Sequence, residues 1–173
     1  IERSYYNQAL TNMATKDSLT GLKNRWSFEH AVSNKKAVLK QYGSIFTMLI
    51  ITADGLLQLE ETDNLPSKDA ILKEIAQGLT KTKRGKDILF RYGEDTFIML
   101  LPLTFAEDAE IAKHRIEKEV TRTIAGKLQL PVKIIITPHT VSSEDAGKLK
   151  KIVADFLFKS KATVNEEPIG KIE

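Results

Sequence analysis

The chain has 173 residues, 42% apolar and 28% charged, which suits one globular domain with a sizeable core and excludes a disordered segment. Lys and Arg number 26 against 23 Asp and Glu, and the resulting +3 is too small an excess to argue for nucleic acid as a partner, although it would not repel an anionic nucleotide. Absence of cysteine excludes disulfides and thiolate metal sites, as expected of a cytoplasmic protein, and no apolar run reaches the roughly 18 residues that would span a membrane.

Ile1, Tyr5, Ala9, Leu10 and Met13 recur at helical spacing and predict an amphipathic helix over residues 1–16. Such a helix either packs on the domain or ends a signalling linker arriving from upstream sensory or transmembrane domains. The start at Ile1 rather than Met favours the linker, with this piece as the cytoplasmic part of a longer, membrane-anchored or soluble, protein. Asp17 to Leu22 reads as a turn, since Asp17 and Ser18 favour local hydrogen bonds and Gly21 tolerates a positive φ. One helix is predicted from Asn24 to Tyr42, closed by Gly43. The apolar run from Phe46 to Thr52 predicts a central strand buried on both faces.

Ser67 is placed to cap a helix over Lys68 to Lys81, with Ile71, Leu72, Ile75 and Leu79 as its buried stripe. Arg84-Gly85-Lys86-Asp87 follows, presenting an arginine and a carboxylate three residues apart on a loop. The runs Ile88 to Tyr92 and Phe97 to Leu101 flank Gly93-Glu94-Asp95-Thr96 and read as a β-hairpin. Pro102 ends it. A helix over Ala106 to Ile124, a strand over Val132 to Thr137 and a final helix over Ser143 to Ser160 complete the pattern, and the polar tail at 167–173 is assigned no function. His30, His114 and His139 are scattered without metal-ligand spacing, so no metal site is expected; Trp26 and Tyr92 are read as packing residues.

Two motifs carry a family resemblance. Arg91-Tyr92-Gly93-Glu94-Asp95-Thr96-Phe97 resembles the Arg-Tyr-Gly-Gly-Asp/Glu-Glu-Phe signature of the GGDEF diguanylate cyclases, which condense two GTP into cyclic di-GMP, and three of the five name-giving letters are kept. Asp17-Ser18-Leu19-Thr20-Gly21-Leu22-Lys23-Asn24-Arg25-Trp26-Ser27-Phe28 is similar to the family's opening Asp-x-Leu-Thr-Gly-Leu-x-Asn-Arg-Arg-x-Phe in all but Trp26. The resemblance implies a GGDEF domain over 17–166 after the linker helix. Its fold would be α/β (α+β): a palm-like, ferredoxin-related domain like that of nucleotidyl cyclases, with a central mixed sheet flanked by helices.

The resemblance also marks departures. Matching Asp69 to the last Asp of the family's Asp-x-Asp-x-Phe-Lys-x-Ile-Asn-Asp…Gly-Asp stretch places Thr52 at the first Asp, a metal ligand, Asp54 at the second, and Glu60 at the guanine-reading Asn. Two-metal phosphoryl transfer needs carboxylates, because hard Mg²⁺ is held by anionic oxygens, and a threonine hydroxyl does not replace one. Ionised Glu60 only accepts hydrogen bonds, whereas an amide also donates. In the hairpin Asp95 keeps the acidic letter, but Glu94 stands for the second Gly and adds bulk and a charge repelling a triphosphate. Lys161 keeps a family phosphate lysine, while Asn165 falls where the phosphate arginine would be. These positions read as a vestigial active site without catalytic residues, and Mg²⁺ is not expected.

In the family an Arg-x-x-Asp beginning nine residues before the first signature Gly forms the inhibitory, product-binding site, and that register falls on Arg84 and Asp87. An arginine twenty-two residues past that Gly often joins it; here that position is Arg115. Arginine can give paired hydrogen bonds to guanine or clasp a phosphate, and the aspartate can accept from the guanine N1 and N2 edge. The expectation is an inactive GGDEF-like domain that binds cyclic di-GMP, without other cofactor, as a receptor in a bacterial signalling protein, with a homodimer as a further partner state. Alternatives are a ligand-free scaffold or dimerisation module and a cyclase with residual activity carried by Asp54, Asp95 and Lys161.

Overall fold

The apolar run beginning at Phe46 becomes the strand on which the sheet is built. In the computed structural model, which describes residues 1–128 and 131–164, β1 spans Ile45–Asp54 and has β3 (Thr96–Leu101) and β4 (Lys133–Ser142) on either side; β2 (Ile88–Arg91) lies beyond β3, giving the order β2-β3-β1-β4. The helices are α1 (Glu2–Thr15), α2 (Arg25–Ala31), α3 (Lys35–Tyr42), α4 (Lys68–Thr82), α5 (Ala106–Leu128) and α6 (Leu149–Val164).

Every strand pair in this sheet is antiparallel, so the mixed sheet expected above is corrected. The β1–α4–β2 and β3–α5–β4 crossovers each join strands of the same direction. A strand of the other unit is inserted between the members of each pair, so no two parallel strands become neighbours. This is the split βαβ arrangement of ferredoxin-like folds.

Alternation along β1 sends Leu49, Ile51 and Ala53 to one face, where α4 (Ile71, Ile75, Leu79) and α5 (Ala112, Ile116, Val120) cover them. Met48 and Ile50 face the other side, among Phe28, Val38, Tyr42, Leu149 and Val153. Each such side chain contributes roughly 1.5–3 kcal/mol by leaving water, so the two cores make β1 the most strongly anchored element. Gly78 lets α4 and α5 approach closely: a Cβ there would lie 3.3 Å from Val120 Cγ2.

Four further expectations are corrected. The helix over 24–42 is broken at Val32–Asn34, because Asn34 takes an extended conformation and its side chain caps α3 by accepting from the Lys36 and Ala37 amides (3.0 and 3.3 Å). β4 continues past Thr137 through Pro138 to Ser142; among the described residues it pairs with β1 alone, and an edge strand is where a proline, lacking its N–H, is tolerated in a sheet. The last helix begins at Leu149 rather than Ser143, since Ser142 to Lys148 form turns closed by Asp145 N–H to Ser142 O (3.1 Å) and Lys148 N–H to Asp145 O (2.8 Å). Trp26 is 53% exposed and stacks on His30 at 4.9 Å, so it does not pack in the core, whereas Tyr92 is buried edge-on against Phe28.

The N-terminal helix is not packed on the domain: none of the residues of α1 is buried. Only its C-terminal end is tied down, by Asn24 N–H to Thr15 O (3.0 Å), Asn24 Nδ2 to Ala14 O (2.9 Å) and Ser27 Oγ to Thr15 O (2.6 Å). No helix among the described residues is long and apolar enough to cross a membrane. The tail at 167–173 and Asn165 lie outside the described residues.

Candidate functional site

Two places in the fold collect the residues singled out above. The first is the corner where α4 ends and β2 begins. Arg84 and Asp87 hold this corner by a reciprocal pair of bonds: the Asp87 amide donates to Arg84 O (3.1 Å) and the Arg84 amide donates to Asp87 Oδ2 (2.7 Å). The Asp87 carboxylate therefore stabilises the turn itself, and at 6% exposure it is one of the few buried charged groups. Lys83 Nζ adds a bond to Asp87 O (3.3 Å).

Arg84 points its charge elsewhere. Its side chain is exposed and makes no hydrogen bond or ion pair among the described residues, so the pair is not an ordinary surface salt bridge. Arg115 reaches the same corner from α5, donating through Nη2 to Thr82 O (3.3 Å), a carbonyl left open by the end of α4. The close packing of α4 on α5 at Gly78 and Val120 supports that reach. The corner thus collects two guanidiniums around a turn whose carboxylate retains Oδ1 without a hydrogen bond among the described residues.

The second place is the end of β1 beside the hairpin turn. Thr52 pairs in register with Thr96, and the Ala53 amide donates to Asp95 O (2.9 Å), so Asp95 lies one register step beyond Thr52, across from Ala53. Asp95 Oδ1 accepts from the Thr96 hydroxyl (3.0 Å). Asp54, on the same face of the strand as Thr52, is exposed at its last position across from Lys133. Glu60 lies exposed on the loop before α4 and Asp69 exposed in the first turn of α4. Glu94 is exposed at the hairpin tip and Lys161 on α6. Among the described residues no group of three carboxylate or imidazole side chains is placed to hold a metal ion.

A link that sequence reasoning missed fixes the hairpin turn. Arg91 Nη1 meets both carboxylate oxygens of Asp17 (3.1 and 3.2 Å), and its other nitrogens donate to Gly93 O (3.3 Å) and Glu94 O (3.1 Å). Asp17 also accepts from the Thr20 amide (2.9 Å) and hydroxyl (2.6 Å). Burial pushes the Asp17 carboxyl up most strongly, yet the Thr20 bonds and Arg91 together outweigh it and leave the group below its ordinary value. Both side chains are under one-fifth exposed. The clue was present in two motifs 74 residues apart, each opening on one member of the pair.

The fold and these motifs have counterparts. The chain is 27% identical over 161 residues to the diguanylate cyclase DgcM of Escherichia coli K12, covering 92% of this chain and 39% of DgcM. Among solved structures, the Pseudomonas aeruginosa diguanylate cyclase SiaD, in complex with its activator SiaC, superposes with a TM-score of 0.64 at 26% identity, over 81% of this chain and 55% of that one. The coiled coil and GGDEF domain of DgcB from Caulobacter crescentus, in complex with c-di-GMP, gives 0.75 at 17% identity over 94% and 88%, a likeness of fold. Residues 14–166 match the family described as diguanylate cyclase, GGDEF domain, and this chain belongs to that family.

Proposed function

We propose that this GGDEF domain no longer condenses GTP and instead binds cyclic di-GMP at Arg84, Asp87 and Arg115, serving as a receptor or regulatory module within a bacterial signalling protein. The observation that carries the reading is the reach of Arg115 to the Thr82 carbonyl, which puts a second guanidinium beside the Arg84–Asp87 turn. Arg84 supplies parallel N–H donors to guanine O6 and N7 or to a phosphate, and Asp87 Oδ1 accepts from the guanine N1 and N2 edge. Because the turn is closed by its own bonds, the site is formed before the ligand arrives and little ordering cost falls on binding.

The substrate side supports the loss of turnover. Thr52 offers a neutral oxygen where cyclases of the family place a carboxylate, and Glu94 adds a negative charge at the turn a triphosphate would approach. Neither Mg²⁺ nor GTP has a part in this reading; upstream domains of the same chain and a second copy are the partners the bound dinucleotide would act on.

Isothermal titration with cyclic di-GMP, beside GTP plus Mg²⁺, tests it. Micromolar or tighter binding of the dinucleotide, abolished in Arg84→Ala, with no heat from GTP, is the expected outcome. Silence with both ligands overturns it and leaves the scaffold, whereas turnover of GTP would restore the enzyme.

A further inference from the structure

Beside the Arg84–Asp87 turn lies a cavity of about 290 Å³ whose walls come from two parts of the chain. Thr80, Lys83, Asp87 and Ile88 supply one wall, and Lys16 and Lys23 supply the other. Lys16 is the C-cap of α1, and Lys23 bridges Lys16 on one side and Phe90 of β2 on the other. The cavity is therefore the seam between the N-terminal helix and the domain. Three lysines line it beside a single carboxylate, which already accepts the Arg84 amide. Lys83 Nζ is bonded to Asp87 O, while the ammonium groups of Lys16 and Lys23 make no hydrogen bond or ion pair among the described residues.

We infer that this seam is a phosphate subsite, and that an anionic ligand held by Arg84 and Asp87 also engages Lys16 and Lys23 and so clamps α1 in one orientation on the domain. The inference rests on the cyclic di-GMP reading above and adds to it a regulatory output. The charge imbalance selects a phosphodiester over a neutral or cationic ligand, because three lysines and one carboxylate around the cavity leave a net positive field there that an anion offsets. The output follows from how α1 is held. With no buried residue it has no apolar anchor, and its hydrogen bonds to the domain are all at its last turn. A ligand that joins Lys16 and Lys23 to the α4–β2 corner acts at that attachment, where a small restriction of the last turn restricts the whole lever. Energetically, the dinucleotide shifts α1 only by as much as it prefers the clamped orientation.

The test uses the absence of native cysteine. A nitroxide on Leu10→Cys, at an exposed position of α1, reports helix mobility by electron paramagnetic resonance, read with and without saturating cyclic di-GMP and beside calorimetric affinity. The parent should bind and its label should become immobilised. Lys16→Gln with Lys23→Gln should bind about tenfold more weakly and leave the label mobile at saturation, Lys16→Arg with Lys23→Arg should restore the immobilisation, and Arg84→Ala should abolish both signals. The two lysines join the fold through backbone bridges, so the double variant should melt as the parent does. Equal immobilisation in the Gln variant, or a mobile label in the saturated parent, overturns the clamp while leaving the binding site standing. An absence of any binding heat in the parent overturns the receptor reading and the clamp with it.

Discussion

The end of β1 and the corner between α4 and β2 are both built from polar residues at the ends of regular elements, yet they are held in different ways. At the corner, Asp87 closes the turn from which Arg84 projects, and Arg115 satisfies a carbonyl at the end of α4. At the end of β1, the one hydrogen bond made by a candidate residue's own side chain among the described residues is the local one between Asp95 and Thr96, and Glu60, Asp69 and Glu94 stand exposed on separate elements. A binding site whose members also hold the backbone keeps its geometry without ligand. A site whose donors depended on a shared ion loses its organising element when one carboxylate becomes a hydroxyl.

The largest expected effect comes from removing the one corner residue with no structural duty. Arg84→Ala deletes an exposed side chain, so stability should stay within the roughly 0.5 kcal/mol typical of surface changes, while cyclic di-GMP affinity should fall about 100-fold or more, enough to abolish the calorimetric signal. Asp87→Ala should instead lose both stability and binding, because the Arg84 amide would lose its partner. If Arg84→Ala and Asp87→Ala behaved alike in thermal melts, the distinction drawn between them would fail.

Next in size is the Asp17–Arg91 link, which holds the hairpin turn beside the end of β1. Asp17→Ala leaves a largely buried guanidinium with only two carbonyl partners and should cost about 2 kcal/mol, or about 6 °C in melting temperature for a chain of this size. The pH dependence has a definite sign. Burial, the largest influence, raises the carboxyl, but Thr20 and Arg91 outweigh it, so the folded pKa lies below the ordinary 3.8. A depressed carboxyl contributes fully above its unfolded value, and that contribution is lost as the pH falls through the folded one. Chemical denaturation should therefore show stability falling as the pH drops below about 4, with a shallower slope in Asp17→Asn.

Much of this architecture was legible because periodicity and capping are local. The buried stripe of α4, the Ser67 cap and the apolar run of β1 each appear in the sequence at the positions the fold uses. The antiparallel order was not, because which strand slips between two others is decided by long-range pairing such as Thr47 with Leu101 and with Thr140. The break at Asn34 was missed because helical spacing of apolar residues runs across it while the cap works through a side chain. At the corner the residue types were legible from the Arg-x-x-Asp register, but not that the aspartate spends one oxygen on its own loop.

A smaller effect should follow from Gly78, which touches neither site. Gly78→Ala gains about 1 kcal/mol of helix propensity, against the displacement of Val120 Cγ2 from 3.3 Å. Overall stability should change by less than about 1 kcal/mol. If α5 shifts, Arg115 loses reach to Thr82 and dinucleotide affinity should fall about threefold, with GTP behaviour untouched. An unchanged affinity would show that Arg115 adjusts through its own side chain and that helix spacing does not set the corner.

The smallest expected effect is none at all, and it is the sharpest test of the other region. Thr52→Asp puts a carboxylate back at the end of β1 with little change in volume, on a strand whose register with Thr96 and Ile135 is fixed on both sides. If the missing ligand were the whole defect, cyclase activity would appear with Mg²⁺ and GTP. It should not, because Glu94 remains at the turn the triphosphate approaches and Glu60 offers guanine no donor. The added carboxylate, two positions from Asp54 on the same face of β1 and one register step from Asp95, would repel both and cost roughly 1 kcal/mol or more until a cation neutralises it, so the variant should melt lower than the parent and regain stability with added Mg²⁺ while still forming no product. Turnover in this single variant would mean that the vestigial end had kept its organisation, and the contrast between an intact corner and a dismantled one would reduce to one residue.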